Sequence, residues 1–211
     1  MPDIKIGFDL DGVLCNSSVV FRTLIYKEYG TYDFRDIDDK GNERFKFRIE
    51  GVTDASIWNV IKEALVHYQS FMAPVEGAVQ FVRNLHTLTG KPIEIISARP
   101  CTNEIATETH AWCQYNLQVP YHLTLVNPPE NGSKDEDMVK NLIVKQFELE
   151  YFVEDRLKYS SQISKVDCIK KVFLLNRIYN MGRRTAEKVV RVDNFPSIGF
   201  TIFQDTGMLI L

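Results

Sequence analysis

Long apolar runs are missing from this chain. No stretch approaches the roughly 20 consecutive apolar residues that a membrane-crossing helix requires, so no spanning segment and no membrane partner are expected. Closely spaced cysteines are missing too. Cys15, Cys101, Cys113 and Cys168 are scattered without a C-x-x-C pair, which removes the common structural zinc sites. The histidines, His67, His86, His110 and His122, show no metal-ligand spacing. An excess of one charge is also lacking. Lys and Arg number 25 against 28 Asp and Glu, for a net charge of −3, so nothing global favours nucleic acid or an anionic membrane. The one local excess is basic, Arg177, Arg183, Arg184, Lys188 and Arg191 against Glu187; a solvated loop is the first expectation there and a ligand patch the second. The opening Met1-Pro2-Asp3-Ile4-Lys5 lacks the basic start and apolar core of a leader. The cysteines are therefore expected to be reduced and mostly buried, in a cytoplasmic protein. Internal repeats and low-complexity segments are absent as well.

What is present is an ordinary globular composition, 45% hydrophobic and 25% charged, enough for one core with a small insertion. Ile4 to Phe8 reads as a strand buried on both faces. Val19, Val20, Phe21, Leu24 and Ile25 repeat at helical spacing up to Tyr29-Gly30. The charge-dense stretch from Asp33 to Glu50 reads as loop plus short helix. Thr53 caps a second stripe, Ile57, Trp58, Ile61, Leu65 and Tyr68. After Pro74 come a helix over Val75 to Leu88 ending at Gly90, a strand from Pro92 to Ile96, and a helix capped by Thr102. A strand follows over Tyr121 to Val126, then a loop at Asn127 to Gly132 and a helix from Lys134 to Phe147. Strands before Glu154 and over Val172 to Leu175 complete the core, and Val189 to Val192 reads as an edge strand. Strands alternating with helices imply a parallel α/β sheet with right-handed crossovers. Such sheets bind ligands beyond the C-terminal strand ends, where strand order reverses.

Residues of one chemical kind gather at those ends. Asp9 and Asp11 follow the first apolar run and, two apart on an extended chain, point the same way. Gly12 lets the chain turn at once. Crowded carboxylates raise one another's pKa unless a cation lies between them, and Mg²⁺ is the usual choice beside a phosphate. Ser97, Glu154 and Asp155 lie at other predicted C-terminal strand ends.

Asp9-Leu10-Asp11-Gly12-Val13-Leu14 resembles motif I of the haloacid dehalogenase (HAD) superfamily, Ile95-Ile96-Ser97-Ala98-Arg99 its motif II and Phe152-Val153-Glu154-Asp155-Arg156 its motif IV. Lys140 is the first choice for the motif III lysine, with Lys134 and Lys145 as alternatives. The resemblance spans nearly the whole chain. It implies a HAD-like Rossmannoid three-layer fold, with residues 1-14 and 74-211 as core and 15-73 as a helical cap of the C1 type. It also implies Asp9 as nucleophile, Asp11 as acid–base and Lys140 as the neutralising cation. Mg²⁺ would be held by the Asp9 carboxylate, the Asp11 backbone carbonyl and Asp155. Ser97, Ala98 and Arg99 would bind phosphate, although Arg99 is equally suited to a nearby carboxylate. Glu154 departs from the commoner Asp at its place and would act through water or orient Lys140.

Within the superfamily, the 5′-nucleotidases of the cytosolic deoxyribonucleotidase type are the nearest resemblance. It is carried by Asp9 to Asn16, the insertion after motif I, Pro74-Val75-Glu76-Gly77-Ala78, and Val172 to Arg177 with Tyr179-Asn180. The substrate implied is a small phosphomonoester, a (deoxy)nucleoside monophosphate first. Phe21, Tyr26, Phe45, Phe47, Trp58 and Phe71 are the aromatics available to a base, although ordinary cap core is the first expectation for each. Two readings stay open beside it. A polynucleotide 3′-phosphatase, or another small phosphomonoester phosphatase, would use the same chemistry, with the basic stretch tracking a nucleic-acid end. A non-catalytic phosphate-binding protein would use only the fold. Oligomeric state is not legible.

Overall fold

The computed structural model describes residues 4–31, 49–127, 136–182 and 184–210. Its centre is a six-stranded, all-parallel sheet: β1 (Ile6–Phe8), β2 (Ile93–Pro100), β3 (Tyr121–Asn127), β4 (Tyr151–Glu154), β5 (Lys171–Leu175) and β6 (Val189–Val192). The order is β3-β2-β1-β4-β5-β6, so β6 is an edge strand as its pattern suggests. The chain builds outward from β1 in one direction and then returns to continue from its other side. The reversal lies between β1 and β4, whose partners run Ile6 to Tyr151, Gly7 to Phe152 and Phe8 to Val153.

Period-two alternation sorts the strand residues between two layers of helices. Phe8, Ile95, Tyr151, Val153, Phe173 and Leu175 join one core cluster. It includes residues of α3 (Ala78–Thr89), α4 (Asn103–Leu117) and α7 (Phe195–Thr206). Ile96, Phe152, Val172 and Leu174 face the other cluster, with α5 (Glu136–Gln146) and α6 (Leu157–Ile163). The chain thus forms a three-layer α/β fold.

Local signals explain most boundaries. Thr53 caps α2 (Asp54–His67), its Oγ1 accepting from Ser56 N at 3.1 Å, and Thr102 caps α4 by accepting from Ile105 N at 3.3 Å. Gly30 ends α1 (Ser17–Tyr29) and Gly90 ends α3. The expected loop and short helix over Asp33 to Glu50, and the loop from Asn127 to Gly132, fall mostly outside the described residues. Helices α6 and α7 are additional to the sequence reading. Helix α7 carries a start signal that pattern reading passed over: Asn194 accepts from Ser197 N at 3.0 Å, with Pro in the first turn.

Helices α1 and α2 and a 3₁₀ turn over Gln69–Phe71 lie between β1 and α3. Their exit and re-entry run side by side: Asn16 N donates to Ala73 O at 2.8 Å and Val75 N to Leu14 O at 2.9 Å. Phe21, Ile25, Ile57 and Ile61 nonetheless join the same buried cluster as the sheet. The four cysteines are free; Cys15 and Cys113 are buried, but Cys101 is exposed, contrary to expectation at that position.

The end of the chain packs against Gly199 of α7. A Cβ added there would lie 1.9 Å from the Ile210 carbonyl oxygen, a backbone atom that cannot rotate away. Gly199→Ala is therefore expected to destabilise the fold by about 1–3 kcal/mol, the usual range for overpacking. Thermal unfolding measures it, and an unchanged Tm would show that the C-terminal residues are free to lift off.

Candidate active site

The reversal between β1 and β4 brings the acidic strand ends together. Asp9 follows β1 directly and its N–H donates to Val153 O of β4 at 2.9 Å. Glu154 ends β4 and Asp155 is the next residue. Helix α5 crosses behind them and contributes Lys140. Its Nζ donates to Asp9 Oδ1 at 2.7 Å and to Glu154 Oε2 at 3.0 Å. Lys140 is 1% exposed and Glu154 fully buried. The Tyr159 ring of α6 lies 4.8 Å from the ammonium, a contact that favours the charge. Lys145 is exposed, Lys134 lies outside the described residues, and Lys140 is the lysine placed at Asp9.

Glu154 has both oxygens engaged. Oε2 takes Lys140, and Oε1 accepts from the N–H groups of Asp155 and Arg156 at 3.1 and 3.2 Å. Asp155 is held differently. Its Oδ2 accepts from the Tyr179 hydroxyl and its backbone carbonyl accepts from Asn180 Nδ2 at 2.6 Å, while Oδ1 is buried with no partner among the described residues.

Ligand oxygens of Asp9, Glu154 and Asp155 all lie within 4.8 Å of one another. Three buried carboxylates thus lie together, and among the described residues Lys140 is the ammonium that meets two of them, Asp9 and Glu154. Burial pushes the Asp9 carboxyl up to about 7, against the pull of Lys140 and with Glu154 and Asp11 adding to the rise. Burial, then Glu154 and Asp9, raises Asp155 well above the usual carboxylate range. Lys140 stays charged because Asp9 and Glu154 outweigh its own burial. An orphaned carboxylate oxygen inside an undercompensated acidic cluster fits a hard divalent cation with oxygen ligands. The cluster forms across β1 and β4 rather than between the side chains of Asp9 and Asp11.

Asp11 faces elsewhere. Arg99 grips it in a fork, Nε to Oδ2 at 2.8 Å and Nη2 to Oδ1 at 2.7 Å. Burial alone would raise the Asp11 carboxyl, but this guanidinium outweighs it and holds the group below its ordinary range, with Ser17 adding a hydrogen bond. Arg99 Nη1 donates to Gln69 Oε1 at 2.7 Å and Thr109 Oγ1 at 3.0 Å, and Nη2 also meets Cys15 Sγ at 3.8 Å. Its five N–H groups are all directed at the protein. Of the two roles open to Arg99, the structure gives it the carboxylate.

Strand β2 runs to Pro100, past the expected end at Ile96, so Ser97 and Ala98 lie within it just before a shift in the β2–β3 register. Ser97 is buried, and its Oγ accepts from Arg99 N at 3.4 Å.

Three residues of the loop after β5 reach the site, Tyr179 and Asn180 without a site role in the sequence reading and Arg177 there read only as part of the basic stretch. Tyr179 and Asn180 hold Asp155, and Arg177 donates Nε and Nη2 to Gly12 O at 3.1 and 2.7 Å. The signal was available: they follow the C-terminal end of a core strand, the same place that marks Asp9 and Asp155. The basic stretch is largely spent on the fold. Besides Arg177, Arg191 Nη2 donates to Asn180 O at 2.5 Å and Lys188 Nζ to Ile169 O at 2.8 Å.

No known family profile matches the chain, and no curated protein matches it in sequence. Solved structures do match in shape. A haloacid dehalogenase-like family hydrolase from Streptococcus pneumoniae superposes with TM-score 0.63 at 12% identity, over 95% of this chain and 99% of its own. A candidate beta-phosphoglucomutase from Thermotoga maritima gives 0.56 at 11% identity, over 97% and 100%. A candidate haloacid dehalogenase-like hydrolase from Burkholderia xenovorans gives 0.56 at 12%, over 94% and 95%. At these identities the likeness is one of architecture, and the chain has the HAD-like Rossmannoid fold.

Proposed function

We propose that the protein is a Mg²⁺-dependent phosphomonoester hydrolase working through an aspartyl-phosphate, with nucleoside monophosphates as its preferred substrates. The observation that carries this is Asp9 against buried Lys140, with Glu154 and Asp155 beside it, at the sheet's topological switch. Core and helical cap would divide at residues 14 and 74, where the chain leaves and re-enters side by side.

Asp9 Oδ2 is the attacking atom, since Oδ1 is taken by Lys140. It forms a bond to phosphorus as the ester oxygen leaves with the electron pair. Lys140 favours the ionised form of Asp9 against its burial and orients it. Ser97 and the Ala98 N–H would hold phosphate oxygens. Asp9, Asp155 and the Asp11 carbonyl would hold Mg²⁺, which when bound supplies positive charge against the phosphate. Asp11, kept as a carboxylate by Arg99, is suited to removing a proton from the water that cleaves the aspartyl-phosphate. The same carboxyl, once protonated, would supply the proton that the poor leaving oxygen of a nucleoside monophosphate requires in the first step.

Among the insertion's aromatics, Phe21 is buried in the core, Trp58 is half-buried, and Phe45 and Phe47 lie outside the described residues. Phe71 is 73% exposed at the return into the core and Tyr26 is exposed on α1; both present aromatic surface to solvent. The deciding assay measures phosphate release with Mg²⁺ from nucleoside 5′- and 3′-monophosphates and a 3′-phosphorylated oligonucleotide. Release from the mononucleotides supports the reading. Release from the oligonucleotide alone moves the activity to nucleic-acid ends. No release from these or from aryl phosphates leaves a phosphate-binding fold.

A further inference from the structure

The loop after β5 touches both halves of the acidic cluster. Gly12 has φ +78°, and a Cβ there would fall 3.0 Å from the Tyr179 hydroxyl and closer still to Asp155 Oδ2. The Asp155 carboxylate and the Tyr179 hydroxyl are therefore seated on the bare α-carbon of the turn that follows Asp9. Arg177 grips the carbonyl of that same glycine. Asn180 Nδ2 ties the Asp155 carbonyl to Leu175 O at 2.8 Å. Asn180 itself is fully buried, and Arg191 of β6 buttresses it through Nη1 to Oδ1 at 3.1 Å. One short segment thus fixes the β1 turn and the β4 end relative to each other.

We infer that Tyr179 and Asn180 are positioning residues for a divalent cation, selecting which oxygen of Asp155 is offered to it. Tyr179 occupies Oδ2 and leaves Oδ1, the buried oxygen without a partner, as the ligand atom. Asn180 fixes the carboxylate's backbone. Partners one step removed from a metal orient its ligands and sharpen affinity. The inference rests on the cation assigned to the proposed function and goes beyond it by naming what shapes the site.

The test is calorimetric titration of the full chain with MgCl₂ and, separately, CaCl₂, with no substrate present. Tyr179→Phe keeps the ring and removes the donor. It is expected to weaken Mg²⁺ binding by about 10-fold or more, the range for loss of an orienting partner. Ca²⁺, which tolerates irregular coordination where Mg²⁺ demands octahedral geometry, should weaken less. Asn180→Ala should act in the same direction, which keeps the test decisive if one variant fails to fold. Wild-type Mg²⁺ affinity in either folded variant, or equal losses for both ions, overturns the inference. Absence of Mg²⁺ binding by the wild type is a separate result: it removes the cation itself, whatever the variants do.

Discussion

Replacing Asp9 with Asn is expected to abolish phosphate release, by at least about 10⁴-fold in kcat, because an amide oxygen cannot form the acyl phosphate that splits the reaction in two. The same change is expected to leave the fold intact or firmer. Asn keeps the shape and can still accept from Lys140. Burial opposes the Asp9 charge more strongly than Lys140 supports it, which is why that carboxyl rises from 3.8 to about 7. The sign follows from linkage. A carboxyl raised in the folded state favours folding while it is protonated, and that contribution fades as pH climbs from about 4 through about 7. In EDTA the wild-type Tm should therefore fall across that window, and Asp9→Asn should flatten the fall. Loss of activity with a flattened profile marks a nucleophile held at an electrostatic disadvantage. Retention of more than a tenth of wild-type kcat would sink the aspartyl-phosphate.

Much of this was legible in the chain because it depends on local order. Asp9, Ser97 and Asp155 are each read from an apolar run followed by a polar residue. A parallel sheet then gathers such ends without further information. Thr53, Thr102, Gly30 and Gly90 announce helix ends by their own conformational preferences. Arg99 could not be resolved that way, since a fork of donors suits a phosphate and a carboxylate alike; only the approach of Asp11, a contact spanning 88 positions, decides it. Tyr179 was legible only by its place after a core strand; its hold on Asp155 becomes visible only with the bare Gly12 α-carbon it rests against. Helix α6, seven residues long, is too short for periodicity to declare.

The largest effect on stability is expected from Lys140→Met. Among the described residues, the ammonium is the one positive charge in direct contact with Asp9 and Glu154. Removing it strands carboxylates that are almost wholly buried. Breaking a buried ion pair from one side costs about 3–5 kcal/mol, or about 10 °C in Tm for a chain of this size. The deficit should be greatest at pH 8 and shrink toward pH 4 as Asp9, raised to about 7, takes up its proton. Adding Glu154→Gln to Lys140→Met should recover part of it by removing one stranded charge. Mg²⁺ should stabilise the single variant more than the wild type. Thermal melts over pH with and without Mg²⁺ measure all of this. A pH-independent deficit would show that Lys140 serves by filling space.

The contact between Lys140 and Asp9 spans 131 positions. During synthesis the first strand and its two aspartates emerge long before any of the groups that make them reactive. A half-made chain can form helices α1 to α4 and pair β1 with β2 and β2 with β3, yet it carries neither Lys140 nor Asp155 nor the tyrosine that orients it. Closing so long a loop is entropically slow, and parallel pairing cannot begin as a hairpin. Competence therefore arrives in a single late event, the docking of β4 and the β5 loop onto β1. On refolding, recovery of helical signal should precede recovery of turnover, which makes activity a clock for the last step of assembly rather than for the bulk of it.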